Sequence, residues 1–317
     1  MRGFLLGRLA MMALTLLAAS VVVFALLNLL PGDPARFMMG LNAAPEAVAA
    51  LRAELGLDRP VIVRYFEWLL GMLRGDFGLS YTYRVPVADL IGQRAVLSVP
   101  LTLLAMGLSI VVALGLAIVT FQTRNVWVRR ALLGLGQAGV AAPPFVVALL
   151  LVQIFAVWLG WVSAGGFPGW EAGLFAGLKA LILPAIALAL PQAAILFSVL
   201  RSAMVASARE PYVTTARAKG LSSWQTIVGH ILPNAMIPML TILGLQFTFL
   251  LAGAVIIENV FYLPGLGRLV FQAVAQRDLI VVQGVIMTLV FVAVVATFVI
   301  DLLYAFADPR VRTGGQR

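Results

Sequence analysis

Long apolar runs alternate with polar segments along the whole chain. A helix needs about 20 apolar residues to cross a bilayer core of roughly 30 Å, and six uncharged stretches are long enough. These stretches are residues 9–30, 97–120, 133–161, 180–200, 237–257 and 279–300. None shows the alternation of apolar and polar positions that is typical of membrane β-strands. The pattern predicts an all-α membrane protein with six transmembrane helices in a single domain over 1–317, with a kink or local unwinding at Pro143-Pro144.

The composition indicates the same class. Hydrophobic residues make up 62% of the chain and charged residues 11%, with a mean hydropathy of +1.04. Soluble domains are about a quarter charged, so this chain has too little polar surface to enclose a water-soluble core. The first apolar stretch follows Arg2 and Arg8, as a signal peptide would, but it is longer than the roughly 7–15 apolar residues of a signal. We therefore expect it to remain as the first span.

The basic residues predict the orientation of the spans. With six spans both termini lie on one side, and the positive-inside rule assigns that side to the cytoplasm. The segments then placed inside carry twelve basic and three acidic residues, and their net charge of +9 equals that of the whole chain. Membrane topology thus accounts for the isoelectric point near 10.8, and no nucleic-acid partner is needed to explain it. The expected location is a plasma membrane.

The first external loop, residues 31–95, has the charge of a soluble segment and carries helix signals. Pro45 opens and Gly56 closes one predicted helix, and a second follows Pro60, with aromatic residues suited to lipid headgroups. Pro86 opens a third, VADLIGQR, and a short amphipathic helix, RLVFQAVAQ, is predicted before the last span. The loop is interpreted either as a helical hairpin on the membrane or as a docking surface for an external partner.

A cytoplasmic segment between the fourth and fifth spans, residues 202–233, is longer and more patterned than a connector needs to be. Gly220 suits the C′ position of a helix that ends at Lys219, and Ser222 with Gln225 forms a capping box for the next helix. The segment is therefore predicted to fold as helix, tight turn, helix. The second helix is expected to present one apolar face, formed by Trp224, Ile227, Val228, Ile231 and Leu232.

The residue types exclude several kinds of chemistry. The chain has no cysteine and one histidine, which excludes a disulfide framework, a thiol nucleophile and a zinc site of two histidines. Its two lysines follow Leu178 and Ala218, so the Gly-Lys-Ser/Thr of an ATP-binding P-loop is missing. Neither a Gly-x-Ser-x-Gly elbow nor a His-Glu-x-x-His pair occurs. We expect no catalysis, no metal site and no cofactor in this chain.

The spans hold neutral polar residues and no ionisable residue in their interiors. Ion-coupled carriers need ionisable groups there, so the pattern disfavours a self-powered carrier. The neutral residues form either interhelical hydrogen bonds, worth about 1 kcal/mol each, or a weakly polar translocation path: Gln153, Gln192, Gln246, Gln283 and Thr288.

We favour a membrane subunit that is driven by a separate, energy-supplying cytoplasmic protein, which binds the helix–turn–helix. A self-contained channel or secondary carrier is the alternative.

The cytoplasmic segment resembles the signature loop of ABC importer permeases, Glu-Ala-Ala-x3-Gly-x9-Ile-x-Leu-Pro. Aligned on Gly220, the matching residues are Ala216, Leu232 and Pro233, and the departures are Thr214, Thr215 and His230. The wider chain is similar to one branch, the first-type (B-like) permease of dipeptide, oligopeptide and nickel importers. The stretches that carry this resemblance are LLPGDPA at Leu29, LGLDRP at Leu55, RGDFGLSY at Arg74, TARAKGLS at Thr215, VFYLPGLGRL at Val260 and DLLYAFADPRVR at Asp301.

This resemblance implies a type I ABC importer permease fold with cytoplasmic termini, in a bacterial inner membrane. It implies a second homologous permease in a heterodimer, two cytoplasmic ATPases that bind ATP and Mg, and an external binding protein that delivers substrate. The ATPase-coupling residues it implies are Thr214, Thr215, Ala216, Arg217, Ala218, Lys219, Gly220, Leu221, Leu232 and Pro233. The substrate stays open among dipeptides, longer peptides, nickel and other small solutes.

Overall fold

The structure is a computed structural model that describes residues 2–29, 35–36, 44–54 and 56–307. In these ranges the secondary structure is helical apart from one isolated bridge between Leu79 and Pro86. The helices are α1 (Arg2–Leu29), α2 (Pro45–Glu54), α3 (Val61–Leu73), α4 (Val87–Gln122), α5 (Val126–Ala141), α6 (Pro144–Leu151), α7 (Leu174–Ser207), α8 (Pro211–Ala218), α9 (Ser223–Thr226), α10 (Leu232–Val260), α11 (Leu266–Ala275) and α12 (Leu279–Ala307). π-Helical turns extend α6 over Val152–Trp158 and join α9 to α10 over Ile227–Ile231. The all-α prediction is confirmed.

Five helical runs in the described ranges are long and apolar enough to cross a membrane: Leu5–Leu26, Val87–Gln122, Leu174–Ser207, Ser223–Val260 and Leu279–Phe306. A sixth candidate is α5 together with the extended α6, which passes the same test only as a pair and bends by 107° at its break. The six predicted spans thus correspond to five single helical runs and one broken one.

The break in the third predicted span, residues 133–161, comes from two consecutive prolines. Ala142 precedes Pro143 and is extended, with φ −78° and ψ 118°, because a proline ring disfavours helical backbone in the residue before it. Pro143 is extended as well, and Pro144 opens α6 at a position where its missing N–H costs no hydrogen bond. The predicted break is therefore a turn of 107° between α5 and the extended α6.

Several boundaries differ from the predictions. The helix predicted after Pro86 is the start of α4, so this helix begins well before the predicted second span, 97–120. α7 extends past both ends of the predicted 180–200 and includes the beginning of the segment 202–233. Apolar composition marks the part of a helix that suits lipid, whereas helical hydrogen bonding continues into polar residues until a cap ends it. The other predicted short helices are confirmed as α2, α3 and α11.

The described chain divides into two compact units. One consists of residues 99–263 with the terminal parts 2–6 and 295–307, and the other of 7–98 and 264–294 as far as they are described. In the first unit α7 packs against α5, α6 and α10. In the most apolar 18-residue stretch of α7, 72% is buried inside the protein. Many alanines on α7 let these neighbouring helices come close.

A glycine of α5 allows this helix to lie directly against α7. A Cβ atom at Gly136 would lie 2.7 Å from Cε1 of the buried Phe197. We expect Gly136→Val to lower the free energy of unfolding by about 1–3 kcal/mol, because the added atoms overpack this interface. Thermal unfolding of the purified chain in detergent measures the loss. Gly134→Val is the matched control, since a Cβ there meets nothing within 4 Å, and equal losses in both variants would contradict the explanation.

In the second unit one buried carboxylate fixes the turn over residues 78–86. Asp278 lies between α11 and α12 and is 1% exposed. Its Oδ2 accepts hydrogen bonds from the Ser80 hydroxyl at 2.6 Å and from the Thr82 amide at 2.9 Å. Its Oδ1 accepts from the amide of Val281, in the first turn of α12, at 3.3 Å. One side chain thus caps α12 and holds a serine that lies 198 residues away in the sequence.

Tyr81, in the same turn, keeps its proton far above neutral pH. Burial and the negative charge of Asp278, opposed by the positive charge of Arg64, raise the pKa of Tyr81 to about 12. The phenol is therefore neutral at physiological pH and adds no negative charge beside the buried carboxylate.

Candidate functional site

The predicted cytoplasmic segment folds as α8, a tight turn, and α9, which continues through the π-helical turn into α10. α8 begins at Pro211, whose fixed φ suits the first position of a helix. Val213 and Ala216 are its buried residues, and its other side chains are exposed. Because α8 packs against α9 and the π-helical turn, the two small apolar residues hold it in place while the rest of its surface stays in water.

Gly220 ends α8 as its position in the sequence predicts. Its φ is +84°, a conformation that glycine adopts easily and other residues do not. The amide of Leu221 donates to the carbonyl of Ala216 at 3.3 Å. The amide of Gly220 itself donates to the carbonyl of Arg217 at 2.9 Å. Together these bonds form a Schellman motif, which satisfies carbonyls at the end of α8 and turns the chain.

The predicted capping box is confirmed at the start of α9. The Ser222 hydroxyl accepts from the amide of Gln225 at 3.3 Å, and Oε1 of Gln225 accepts from the amide of Ser222 at 2.9 Å. The Thr226 hydroxyl donates to the carbonyl of Ser222 at 2.9 Å. Since the cap of α8 and the cap of α9 are almost adjacent, local hydrogen bonds set the direction of one helix relative to the other.

The predicted single apolar face of the second helix is only partly correct. Ile227 and Ile231 are 4% and 0% exposed, but Trp224 is 56% exposed and Val228 40%. In the π-helical turn an amide bonds to a carbonyl five residues back, so the period of 3.6 residues behind the prediction does not hold. Pro233 favours the wider turn, because in an α-helix its ring would clash with the carbonyl four residues earlier. Trp224 and Val228 therefore lie on the surface and do not share the buried face of Ile227 and Ile231.

The two ends of the segment are tied together at Ser207, the last residue of α7. Its buried hydroxyl donates to the carbonyl of Ile231 at 3.4 Å and forms a short hydrogen bond with the Tyr212 hydroxyl. Since the serine has one proton to give, the tyrosine donates in the second bond. We define residues 207–231, closed by these bonds, as the clasped segment. Sequence reasoning missed this closure, because nothing in the spacing of the three residues marks a contact that depends on the wide turn.

The exposed part of α8 and the turn after it carries two basic side chains. Arg217 and Lys219 are exposed at the end of α8, where positive charge is favourable beside the helix C-terminus. Of the implied coupling residues, 214–221 all lie on α8 and its turn, whereas Leu232 and Pro233 begin α10. The end of α8 thus presents exposed positive charge, a surface suited to binding an acidic or mixed groove on another protein.

The five polar residues predicted as a translocation path lie in different places. Gln192 on α7 and Gln246 on α10 are buried in two helices that pack together, and Oε1 of each has no hydrogen-bond partner in the described part of the chain. Gln153, in the turn after α6, is exposed. In the other unit Thr288 bonds to its own helix, and Gln283 lines a cavity of about 360 Å³ with residues of the external loop. A role in translocation stays a prediction.

Residues 105–313 match the family described as the binding-protein-dependent transport system inner membrane component, and residues 1–102 match its N-terminal region. A putative peptide transport system permease protein of Brucella abortus (strain 2308) is 39% identical over 312 residues, 98% of this chain and 99% of that protein. The glutathione transport system permease protein GsiC of Escherichia coli (strain K12) is 36% identical over 312 residues, with the same coverage.

Among solved structures, an inward-facing form of the MetNI methionine ABC transporter is similar to this chain. The match covers 69% of this chain and 96% of the matched chain, with a TM-score of 0.57 at 16% identity. At this identity the similarity shows the fold, and it agrees with the predicted type I ABC importer permease architecture.

Proposed function

Since the chain belongs to the family of binding-protein-dependent transport system inner membrane components, we propose that its clasped segment couples ATP hydrolysis in separate subunits to solute import. The chain is a multi-pass permease subunit of an ABC transporter of the dipeptide and oligopeptide type, in a bacterial inner membrane. A self-contained channel or secondary carrier is disfavoured, because full-length relatives are named as permeases of transport systems.

The closure at Ser207 is the observation that carries the coupling proposal. A helix seated in a groove of another protein transmits motion only if it is fixed to the elements that must move. The C-terminus of α8 is fixed by the Schellman motif at Gly220 and by the capping box of α9 that follows it. Near its N-terminus Tyr212 bonds to Ser207, the last residue of α7, which also bonds to the carbonyl of Ile231, directly before α10. A displacement of Arg217 and Lys219 by a docked partner therefore reaches two packed spans at once.

The same proposal assigns the partners. Two cytoplasmic ATPases bind ATP and Mg. Each ATPase binds one permease, and in this chain the residues that it contacts are Thr214–Leu221 with Leu232 and Pro233. A second homologous permease completes a heterodimer, and an external binding protein delivers the solute. The names of the relatives support peptides or similar small solutes as the cargo. The buried oxygens of Gln192 and Gln246, which lack a hydrogen-bond partner among the described residues, support a polar path beside α7 and α10. Gln153, Gln283 and Thr288 are proposed as further path residues.

The purified chain alone is expected to hydrolyse no ATP, because it lacks the lysine of a P-loop. Co-expressed with the proposed partner ATPases, the chain should co-purify with them, and the complex should hydrolyse ATP faster when the loaded binding protein is added. A complex in which the P-loop lysine of the ATPases is replaced is the control. Hydrolysis by the chain alone at the rate of the complex would refute this division of labour.

A further inference from the structure

A cavity of about 730 Å³ lies in the first unit, at the end of α7 far from the clasped segment. Its walls are the first turns of α7, the chain over 160–168 that follows α6, and Phe261 and Leu263 after α10. The volume falls within the roughly 300–1,000 Å³ of small-molecule sites. The predicted topology places this end on the outer side, where a solute delivered from outside arrives.

The cavity wall is fixed by its own contacts. The amide of Gly166 donates to the carbonyl of Phe261 at 2.8 Å, which joins the loop to the end of α10. The Ser163 hydroxyl donates to the carbonyl of Gly165 at 2.7 Å. The rings of Phe167 and Trp170 meet edge to face at 5.2 Å between centroids. The loop is therefore a formed wall, and a ligand would not have to order it at a cost in binding free energy.

The polarity of the lining selects the kind of ligand. Of the fifteen residues that line the cavity, all within the described ranges, Lys179 is the one with a formal charge. It lies on the same face of α7 as Ala176, Ala180 and Leu183, so its nearest neighbours along the helix are small and apolar. Among the described residues no side chain caps the start of α7, and the helix dipole adds positive potential at this end. Trp161, Phe167 and Phe261 supply apolar surface.

We propose that this cavity binds small solutes that carry a carboxylate, with Lys179 pairing the carboxylate and the aromatic walls holding an apolar side chain. A peptide with a free C-terminus has both features. The proposal rests on the proposed function, and it adds a recognition step inside the permease to whatever the external binding protein selects. Loss of the carboxylate would remove this charged pair, so it should weaken binding.

The two lysines of the chain allow a test with an internal control. Lys179 and Lys219 are both exposed and lie at opposite ends of α7 and its following segment, so an amine-selective reagent followed by peptide mass spectrometry reports on each separately. The full chain in phosphatidylcholine nanodiscs is labelled with and without N-acetyl-Ala-Phe or its C-terminal amide. We expect the acid, at ten times its dissociation constant, to slow labelling of Lys179 about tenfold. The amide should not slow it, and Lys219 should be unaffected by either.

Three outcomes would overturn the proposal. They are equal protection by acid and amide, no protection by the acid, and protection of both lysines. A lipid phosphate as the true occupant would appear as slower labelling of Lys179 when phosphatidylglycerol replaces phosphatidylcholine, with no effect of the peptide acid.

A separate uptake assay distinguishes this proposal from the proposed function. The assembled transporter should take up the peptide acid in preference to the amide, Lys179→Met should lose that preference, and Lys179→Arg should keep it. If the wild-type complex takes up neither compound although the acid protects Lys179, the cavity assignment stands and the assigned cargo is wrong. If uptake is normal and its preference is unchanged in Lys179→Met, the cavity assignment fails and the transport function stands.

Discussion

Gly220→Val is expected to abolish solute uptake by the assembled transporter while leaving membrane insertion of the chain intact. Gly220 has a φ of +84°, and a Cβ atom added to it would meet no described atom within 4 Å, so the cost of a side chain there is conformational. Such strain costs about 1–3 kcal/mol for ordinary residues, and branching at Cβ worsens it. The turn would therefore rearrange, and the exposed charges of α8 would no longer stand in a fixed relation to α7 and α10.

Uptake of a labelled peptide and the amount of chain in the membrane fraction, measured in the same cells, test this expectation. Gly229→Val is the matched control: it makes the same change in the same segment at an exposed glycine without a positive φ and with open space around it. Gly220→Asn should keep part of the activity, because asparagine tolerates positive φ better than valine does. Normal uptake by Gly220→Val would refute the assignment of this turn to coupling.

Asp278→Ala is expected to release the turn over residues 78–86. The substitution leaves the buried Ser80 hydroxyl and the partly buried Thr82 amide without their acceptor and removes the cap of α12. Loss of buried hydrogen bonds to a charged group costs about 3 kcal/mol, which corresponds to an increase of about 100-fold in the population of the open turn. Trypsin should then cleave after the exposed Arg84 about 100-fold faster, since cleavage follows that population.

Asp76→Ala is the control for this experiment. The Asp76 carboxylate also accepts an amide hydrogen bond in the same loop, from Gly78 at 2.9 Å, but it is exposed. Water replaces the lost partner there, so its removal should change the cleavage rate by less than about tenfold. If Asp278→Ala leaves the rate of cleavage after Arg84 unchanged, the buried carboxylate does not hold the turn.

Local features of the candidate site could be predicted from the sequence. Gly220 and the pair Ser222 and Gln225 act through bonds between residues at most five apart, so residue type and spacing are sufficient to identify them. The lengths of the uncharged apolar stretches likewise identified the transmembrane spans. The ends of α4 and α7 were not predicted, because a polar residue does not end a helix unless it caps it.

Features that depend on distant residues could not be predicted in this way. In the sequence Asp278 is indistinguishable from the other charged residues of the outer loops. Its structural role depends on Ser80, which lies 198 positions earlier. The closure at Ser207 depends on the π-helical turn, which shifts every later side chain around the helix axis. The angle at Ala142 depends on two successive extended residues, and a pair of prolines indicates a break without fixing its size.

The closure at Ser207 also bears on how the transporter is assembled. All hydrogen bonds that shape the clasped segment join residues no more than 24 positions apart, so the segment has low contact order and can form soon after its last residue is synthesised. An arriving ATPase then meets a surface that is already ordered, and its affinity is not reduced by the entropy of folding a loop. Mutations that loosen the closure should therefore slow assembly of the complex before they change its rate of turnover.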